Sequence, residues 1–451
     1  MKFKREALEA LSKEELIEML LQMQERIEEL RQEITKLKKP QTTSRNSSQA
    51  PSRDNKANKA EGGAKKQGAV EGHAKMTRAW AEEVDREIVI PARVCECGMD
   101  VSGIAPHSVV RRQITELPEV KPVVIETCQE VVSCPCCGKD VYGVLPAGLE
   151  AGRVFGPRVQ ATVTYLKHEQ HLSYERTQEA MATLFGMELS EGGESCIVER
   201  AGAAAQIVAN EIQQVIRASD VVGSDETSAR VKARNWWQWV FVSSDAILHV
   251  IQPSRGDDVV KAVMGDAQPR GWVSDCWAPQ LNAPAQQHQL CLSHQIRNLQ
   301  GLIDRCPHLH WARQMQSLFR EAIHLSHRRE DLSERGFKRR CTELEHRLNH
   351  LIDRKVQTPQ AQALVKRYRK HRHRLLVFLR DPSIPHHNNA CERALRGSVI
   401  HRKVTNGFRS EWGAHAYAAL ASLIDTAKLR GKSVFDALLA LFGPPVLPFL
   451  A

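Results

Sequence analysis

The chain is predicted to be a multidomain α+β protein, and three observations predict this class. Its 451 residues suggest about two to four domains, at about 100–200 residues each. Strand-type and helix-type hydrophobic patterns occupy separate stretches of the chain. A stretch rich in Ser, Asn, Gln and Lys separates an N-terminal helical pattern from everything that follows.

Charge and composition limit the functional classes. The formal net charge is +10 and the isoelectric point is about 9.0, which permits a polyanionic partner without identifying one. The first residues lack the apolar core of a signal peptide, and no unbroken apolar run reaches the ~20 residues of a membrane span. We therefore expect a cytoplasmic protein with no membrane partner, whose 12 cysteines are reduced.

Residues 1–40 predict a coiled-coil helix. Ser12 and Glu15 form a capping box that begins it. Apolar residues then recur in steps of four and three, at Leu16, Leu20, Met23, Ile27, Leu30, Ile34 and Leu37. This pattern indicates a homo-oligomer joined through the helix; the alternative is a single amphipathic helix packed on its own body. Residues 41–80 are predicted to be a flexible basic linker, either a plain tether or a nucleic-acid contact.

Residues 85–150 predict a zinc-ribbon-like DNA-binding module. Cys134 and Cys137 stand in a C-x-x-C-G knuckle, whose glycine lets backbone amides turn towards the sulfurs. The upstream pair, Cys95 and Cys97, is compressed by one residue, yet four thiolates could still close a tetrahedral zinc site. The alternative is a ribbon-like module that has lost or relocated a ligand. Short strands are expected between the pairs, at 109–110, 114 and 123–125.

The next two regions differ in their hydrophobic periodicity. Residues 155–218 have helical spacing and predict a helical spacer packed on the following domain; a DNA-contacting region is the alternative. Beyond them the order is three strands, helix, two strands, helix. The strands are expected near 221–231, 236–242, 246–251, 272–275 and 288–292. Hairpin-linked strands followed by a crossover match the ribonuclease H-like α/β plan.

The remaining chain completes this plan. Residues 304–380 are strongly helical and heavily charged, which indicates a helical insertion into an α/β domain that spans 219–415. Residues 416–451 are expected to form a small helical C-terminal cap.

Three acidic residues are candidates for a metal site. Asp225 lies within a strand, where a buried carboxylate is costly unless it is paired or bound to a metal; the alternative is an edge-strand residue that faces water. Asp275 ends the fourth strand, which the plan places beside the first, and Mg²⁺ or Mn²⁺ would relieve the repulsion between the two. Glu392 follows the insertion as a third carboxylate. Its local alternative is a capping box with Asn389 and an ion pair with Arg396.

A set of motifs occurs in order along the chain: Ser224-Asp225-Glu226-Thr227, Val273-Ser274-Asp275-x-Trp277-Ala278, His288-Gln289-Leu290-Cys291 with His294, Asn388-Asn389-Ala390-Cys391-Glu392-Arg393-Ala394-Leu395-Arg396, Arg402-Lys403 and Gly407-Phe408-Arg409-Ser410-Glu411-Trp412-Gly413-Ala414. The set resembles the transposases of the insertion sequence 66 family over nearly the whole chain. The resemblance implies an Asp-Asp-Glu catalytic domain in which Asp225, Asp275 and Glu392 hold Mg²⁺ or Mn²⁺. Departures from the family pattern are Ser228, Cys276, Gln280 and the compressed cysteine pair. They put the zinc site in doubt more than the catalytic chemistry.

The resemblance also implies a reaction and partners. The reaction is strand cleavage and strand transfer on double-stranded DNA, at the element ends and the target, in some elements with accessory proteins. A set of basic residues would contact backbone phosphates, or else form a solvated basic face: Arg393, Arg396, Arg402, Lys403 and Arg409. Cys291 and His294 have the spacing of a metal pair, although packing at a strand end is favoured.

Two other functions stay open on the sequence. One is a DNA-binding regulator or inactive transposase remnant that uses only the coiled coil and the zinc-ribbon module. The other is a cellular ribonuclease H-like nuclease, which would cut DNA without joining it.

Overall fold

The computed structural model describes residues 78–145, 152 and 154–443, with Ser12, Ile17, Leu20, Met23, Thr43 and residues 45–47. Apart from those isolated positions, the predicted coiled coil of residues 1–40 and the linker up to residue 77 lie outside the described residues. Internal contacts divide the chain into two units. The smaller comprises 56–124 with 184–186, and the larger comprises the rest.

The smaller unit carries the first cysteine pair on a tight turn. The NH of Cys95 donates to the Met99 carbonyl at 2.9 Å, and the NH of Gly98 donates to the Cys95 carbonyl at 2.8 Å. Between residue 101 and residue 130 the described chain forms no strand, so the short strands expected there are wrong. Val109, Ile114 and Val124 are 77%, 91% and 93% exposed. β-branched residues favour strands only where a neighbouring strand or a core covers them.

Beyond residue 124, the larger unit forms a hairpin around the second cysteine pair. Strands β1 (Val131–Ser133) and β2 (Asp140–Tyr142) pair antiparallel. In the turn between them, the NH of Cys134 donates to the carbonyl of Lys139, and the NH of Gly138 donates to the carbonyl of Cys134, both at 2.8 Å. Gly138 has φ +69°, which side chains rarely tolerate, so the glycine of the knuckle is required by its backbone.

A helical region follows, as predicted. It contains α1 (Pro157–Thr164), a π turn (Tyr165–Glu169), α2 (Tyr174–Phe185) and the long α3 (Glu191–Ala218). Ser190 caps α3 by accepting a hydrogen bond from the NH of Gly193 at 3.1 Å. Further along, α3 packs on the helix α12 (Glu411–Leu429), so the helical region is part of the packed body of this unit.

Five strands form the central sheet: β3 (Val221–Val231), β4 (Arg234–Val242), β5 (Ile247–Gln252), β6 (Gly271–Ser274) and β7 (Gln287–Leu290). Their order is β5-β4-β3-β6-β7. Strands β3, β4 and β5 pair antiparallel as two successive hairpins, and β6 and β7 run parallel to β3. Helix α4 (Asp257–Met264) makes the crossover, α5 (Ala278–Leu281) precedes β7, and α6 (Leu292–Arg305) follows it. The first and fourth strands of the sheet are thus neighbours, as expected.

Two helices cover one face of this sheet. Helix α11 (Asn389–Thr405) packs Cys391 and Leu395 against Val240 and Val242. On the same face α12 packs its alanine-rich side against β3 and β5, and the short α13 (Val434–Leu439) follows. Because side chains alternate along a strand, β3 residues with odd numbers, Asp225 among them, point towards α11 and α12.

A helical insertion separates α6 from α11. It comprises α7 (His310–His327), α8 (Glu334–Asp353), α9 (Pro359–Lys370) and α10 (Val377–Arg380), and its core is continuous with α6 and β7. Trp311, Phe319 and Tyr368 are buried at its centre. Across the described residues, no helix combines the length and the apolar character that a membrane crossing requires.

Candidate active site

Asp225 lies on β3, the central strand of the sheet, rather than on an edge strand. Its side chain is only partly exposed, and its Oδ1 accepts a hydrogen bond from the NH of Glu226 at 2.9 Å. Burial raises the pKa of Asp225 well above its usual range, and the neighbouring carboxylates of Asp275, Glu226 and Glu392 raise it further. The surroundings of Asp225 therefore disfavour its ionised form, and the alternative of a water-facing residue on an edge strand is wrong.

Asp275 follows the last residue of β6. The parallel register pairs Val221 with Gly271 and Gly223 with Val273, so its continuation brings Asp275 level with Asp225. Oδ1 of Asp275 accepts a hydrogen bond from the NH of Trp277 at 2.7 Å. Burial raises the pKa of Asp275, while the NH of Trp277 opposes this rise. The two aspartates thus lie level with one another on neighbouring strands, as the strand order predicted.

Glu392 lies in the first turn of α11, and its carboxylate is held from another helix. Its Oε1 accepts from Nη2 of Arg297 at 2.7 Å and lies 3.5 Å from Nε2 of His294, both on α6. The capping residue of α11 is Asn388, whose side chain makes no capping bond. The capping box with Asn389 and the ion pair with Arg396 therefore do not account for Glu392.

Each of these carboxylates has one oxygen held by a protein donor. Asp225 accepts from the NH of Glu226, and Asp275 accepts from the NH of Trp277. Glu392 accepts from the guanidinium of Arg297. The second oxygen of each, Oδ2 or Oε2, has no hydrogen-bond donor among the described residues. Carboxylate oxygens are the ligands that Mg²⁺ and Mn²⁺ prefer, so the donor set fits such an ion. In the described ranges, no group of three or more His, Cys, Asp or Glu side chains is already arranged as a metal site.

A fourth carboxylate, which sequence reasoning missed, lies on the other face of β3. Glu226 is 2% exposed at its side chain; Oε1 accepts from Arg255 at 2.8 Å and Oε2 from Gln280 at 2.7 Å. The Arg255 guanidinium lies between two tryptophan rings, 3.9 Å from the centroid of Trp277 and 4.3 Å from that of Trp237. The only signal in the sequence is strand alternation, which places Glu226 opposite Asp225 without naming a partner.

Helix α11 is fastened to β3 beside Asp225. The side-chain amide of Asn388 donates to the carbonyl of Ser224 at 2.8 Å, and the backbone NH of Asn388 donates to Sγ of Cys291 at 3.2 Å. A side chain at Gly223 would lie 3.0 Å from Asn388 Oδ1 and 3.1 Å from Cys391 Sγ, so this glycine permits the close approach. Cys291 occupies the N-cap position of α6 without a side-chain capping bond and is fully buried, which agrees with packing rather than a metal pair with His294.

The predicted DNA-binding residues divide into two kinds. Arg393, Arg396, Lys403 and Arg409 are exposed. Arg402 instead donates to the backbone carbonyl of Ser228 and to its hydroxyl, the latter at 2.7 Å. Arg402 therefore ties α11 to β3.

The predicted zinc ligands form two local pairs. The NH of Cys97 and its thiol lower the pKa of Cys95, and the NH groups of Cys137 and Cys136 lower the pKa of Cys134. Cys95 and Cys97 belong to the smaller unit, and Cys134 and Cys137 to the larger. A common zinc site stays a prediction.

Comparison with known protein families identifies the class. A family model matches residues 152–416, more than half of the chain, and this range contains Asp225, Asp275 and Glu392. The matched proteins are transposases, a class of DNA-processing enzymes whose partner is DNA. The family is described as Transposase IS66 family, and the chain belongs to it, as its motifs predicted. Among curated proteins no match was found.

Proposed function

We propose that this protein is an Asp-Asp-Glu transposase, which cleaves DNA at the ends of an insertion sequence and joins the ends to a target. The supporting observation is the placement of three carboxylates: the strand register brings Asp275 level with Asp225, and Asp275 and Glu392 are close enough to raise the pKa of Asp225. Each has one oxygen that accepts from a protein donor and a second that has none among the described residues. Burial and, after it, the neighbouring carboxylates raise the pKa of Asp225, and a bound cation would stabilise its ionised form.

The strand order supports a ribonuclease H-like catalytic domain. Three antiparallel strands are followed by two strands parallel to the first, and the helical insertion enters after α6. In this proposal the domain spans 219–415. The N-terminal coiled coil would join subunits, the linker would connect it to a zinc-ribbon-like DNA-binding module at 85–150, and 416–451 would complete the C-terminal end.

Asp225, Asp275 and Glu392 would hold Mg²⁺ or Mn²⁺ through the oxygens that lack protein donors. When bound, the ions would supply Lewis-acid activation of the attacking water or 3′-hydroxyl and stabilise the leaving 3′-oxygen. The protein's own contribution is position: the NH groups of Glu226 and Trp277 orient the two aspartates. The mechanism assigns no Ser or Tyr nucleophile, since water and the 3′-hydroxyl attack directly.

The exposed basic residues of α11 and the following turn would hold the DNA. Arg393 and Arg396 lie one and four residues beyond Glu392 on the same helix, so phosphates bound there would lie near the carboxylates. Such contacts give affinity that falls with salt concentration and does not read sequence.

The test is a strand-cleavage and strand-transfer assay on duplexes that carry the element ends, with Mg²⁺ or Mn²⁺. Asp225→Asn, Asp275→Asn and Glu392→Gln are each expected to abolish cleavage and joining while DNA binding persists. Asp257→Asn is the matched control, because this exposed aspartate pairs with Lys261 at 2.9 Å outside the site. A variant that still joins strands would remove its residue from the triad.

The same assay separates the other candidate functions. Cutting without joined products would indicate a ribonuclease H-like nuclease. DNA binding by the wild-type protein with neither product would indicate a regulator or an inactive remnant.

A further inference from the structure

The Arg297–Glu392 ion pair joins two helices at the carboxylate cluster. Nη2 of Arg297 donates to Oε1 of Glu392 at 2.7 Å, and the two side chains are 21% and 32% exposed. His294, one turn earlier on α6, approaches the same oxygen at 3.5 Å. The shorter contact is that of Arg297, whose guanidinium carries the permanent positive charge at this oxygen.

Helix α6 is itself fixed to the sheet next to Asp275. The NH of Cys291, at the start of α6, donates to the carbonyl of Ser274 at 2.8 Å. The NH of Leu292 donates to the carbonyl of His386 at 2.9 Å, on the segment that leads into α11. A side chain anchored on α6 is therefore held in a defined position relative to Asp275.

We propose that Arg297 is a positioning residue, which holds Oε1 of Glu392 so that Oε2 faces the two aspartates and a divalent ion. This inference rests on the proposed function. Glu392 stands in the first turn of its helix with a partly exposed carboxylate, and without Arg297 its long side chain could rotate towards solvent. A partner that hydrogen-bonds a metal-binding carboxylate typically changes metal affinity about 10–100-fold when it is removed.

Electrostatics alone predicts the opposite sign. A guanidinium beside the cluster repels a divalent cation, so removing its charge would tighten metal binding if charge outweighed orientation. The sign of the change therefore decides between the two effects.

The experiment measures Mn²⁺ binding to the full-length protein by titration calorimetry, without DNA, so catalysis does not enter. Arg297→Gln is expected to weaken Mn²⁺ binding about 10–100-fold. Arg297→Lys, which keeps the charge, is expected to recover part of the loss. The matched control is Arg305→Gln, an exposed position in the last turn of the same helix, which should bind Mn²⁺ like the wild type.

Unchanged or tighter Mn²⁺ binding by Arg297→Gln would overturn the inference. If lysine recovers no affinity, the loss is due to disturbed packing of α6, which also overturns it. A different result bears on the proposed function itself: wild-type protein whose Mn²⁺ binding is insensitive to Asp225→Asn would remove the triad as the metal site.

Discussion

At the scale of single residues, the surroundings of Asp225 disfavour its ionised form. Its raised pKa means that it favours folding while it is protonated. This contribution is fully present below the unfolded pKa of about 3.9, and it is lost as the pH rises through the higher pKa of the folded state. The asparagine of Asp225→Asn is neutral at every pH, so this variant does not lose stability through ionisation at this position as the pH rises. In chelator-treated protein we therefore expect this variant to melt above the wild type at pH 7, with a difference that disappears towards pH 4.

Thermal unfolding between pH 4 and pH 8 measures this difference. Asp257→Asn is the control, because the Lys261 side chain lowers the pKa of this exposed carboxylate and its substitution should not stabilise the fold. A pH-independent difference for Asp225→Asn would show that its carboxylate titrates normally in the folded protein.

The Glu226–Arg255 pair allows a second test at this scale. Arg255→Gln leaves a buried carboxylate with Gln280 as its remaining side-chain donor, and we expect a loss of about 1–3 kcal/mol in the free energy of unfolding. Glu226→Gln made in the same chain removes the unpaired charge and should recover part of that loss. Denaturant unfolding of both single variants and the double variant gives the coupling energy, expected at about 0.5–3 kcal/mol. Additive losses would mean that the pair does not interact.

At the residue level, the sequence predicted where the acidic residues lie but not their partners. Asp225 lies on β3, Asp275 follows β6 and Glu392 lies on α11, as strand ends and motifs, which are local patterns, predicted; their role as a metal site stays a prediction. Arg255 pairs with a residue 29 positions away, and Arg297 with one 95 positions away. Such pairings depend on how strands and helices pack, and no local pattern in a single sequence encodes them.

At the scale of elements, the contact between α3 and α12 depends on one glycine. A Cβ added at Gly202 would overlap the side chain of Ala416, so the two helices approach too closely for any larger residue. We expect Gly202→Ala to cost about 1–3 kcal/mol in the free energy of unfolding, the usual range for overpacking. Gly192→Ala on the same helix, where an added Cβ meets nothing within 4 Å, should be neutral or stabilise by up to ~1 kcal/mol. Equal effects of the two substitutions on chemical denaturation would contradict this packing.

Element prediction succeeded where burial and periodicity agree. The strand order of the sheet follows from hairpin and crossover signals, and Trp239, Phe241 and Trp272 are buried in it. It failed between residues 101 and 130, where valine and isoleucine side chains are exposed and no described strand pairs with them. β propensity without a partner does not form a strand.

At the scale of the whole molecule, the net charge of +10 can contribute to the proposed DNA contact only through basic side chains that are not already engaged. Arg393 and Arg396 are exposed on α11, whereas Arg402 donates to Ser228 on β3. Log affinity falls as log salt rises, with a slope whose magnitude grows by about 1 for each phosphate contact. We therefore expect Arg393→Gln and Arg396→Gln each to lower the magnitude of this slope by about 1, because each removes one phosphate contact. Arg402→Gln should leave the slope unchanged and lower the melting temperature instead.

Titrating a fixed-sequence duplex at several salt concentrations measures these slopes, with Asp225→Asn in the background to prevent cleavage. Lys261→Gln removes one exposed charge on α4, far along the chain from α11, and serves as the control for net charge alone. If it lowers the slope as much as Arg396→Gln does, DNA responds to the overall charge of the protein and α11 is not a specific contact surface. If Arg402→Gln lowers the slope while the fold keeps its stability, its bond to Ser228 opens when DNA binds, and the five basic residues act together.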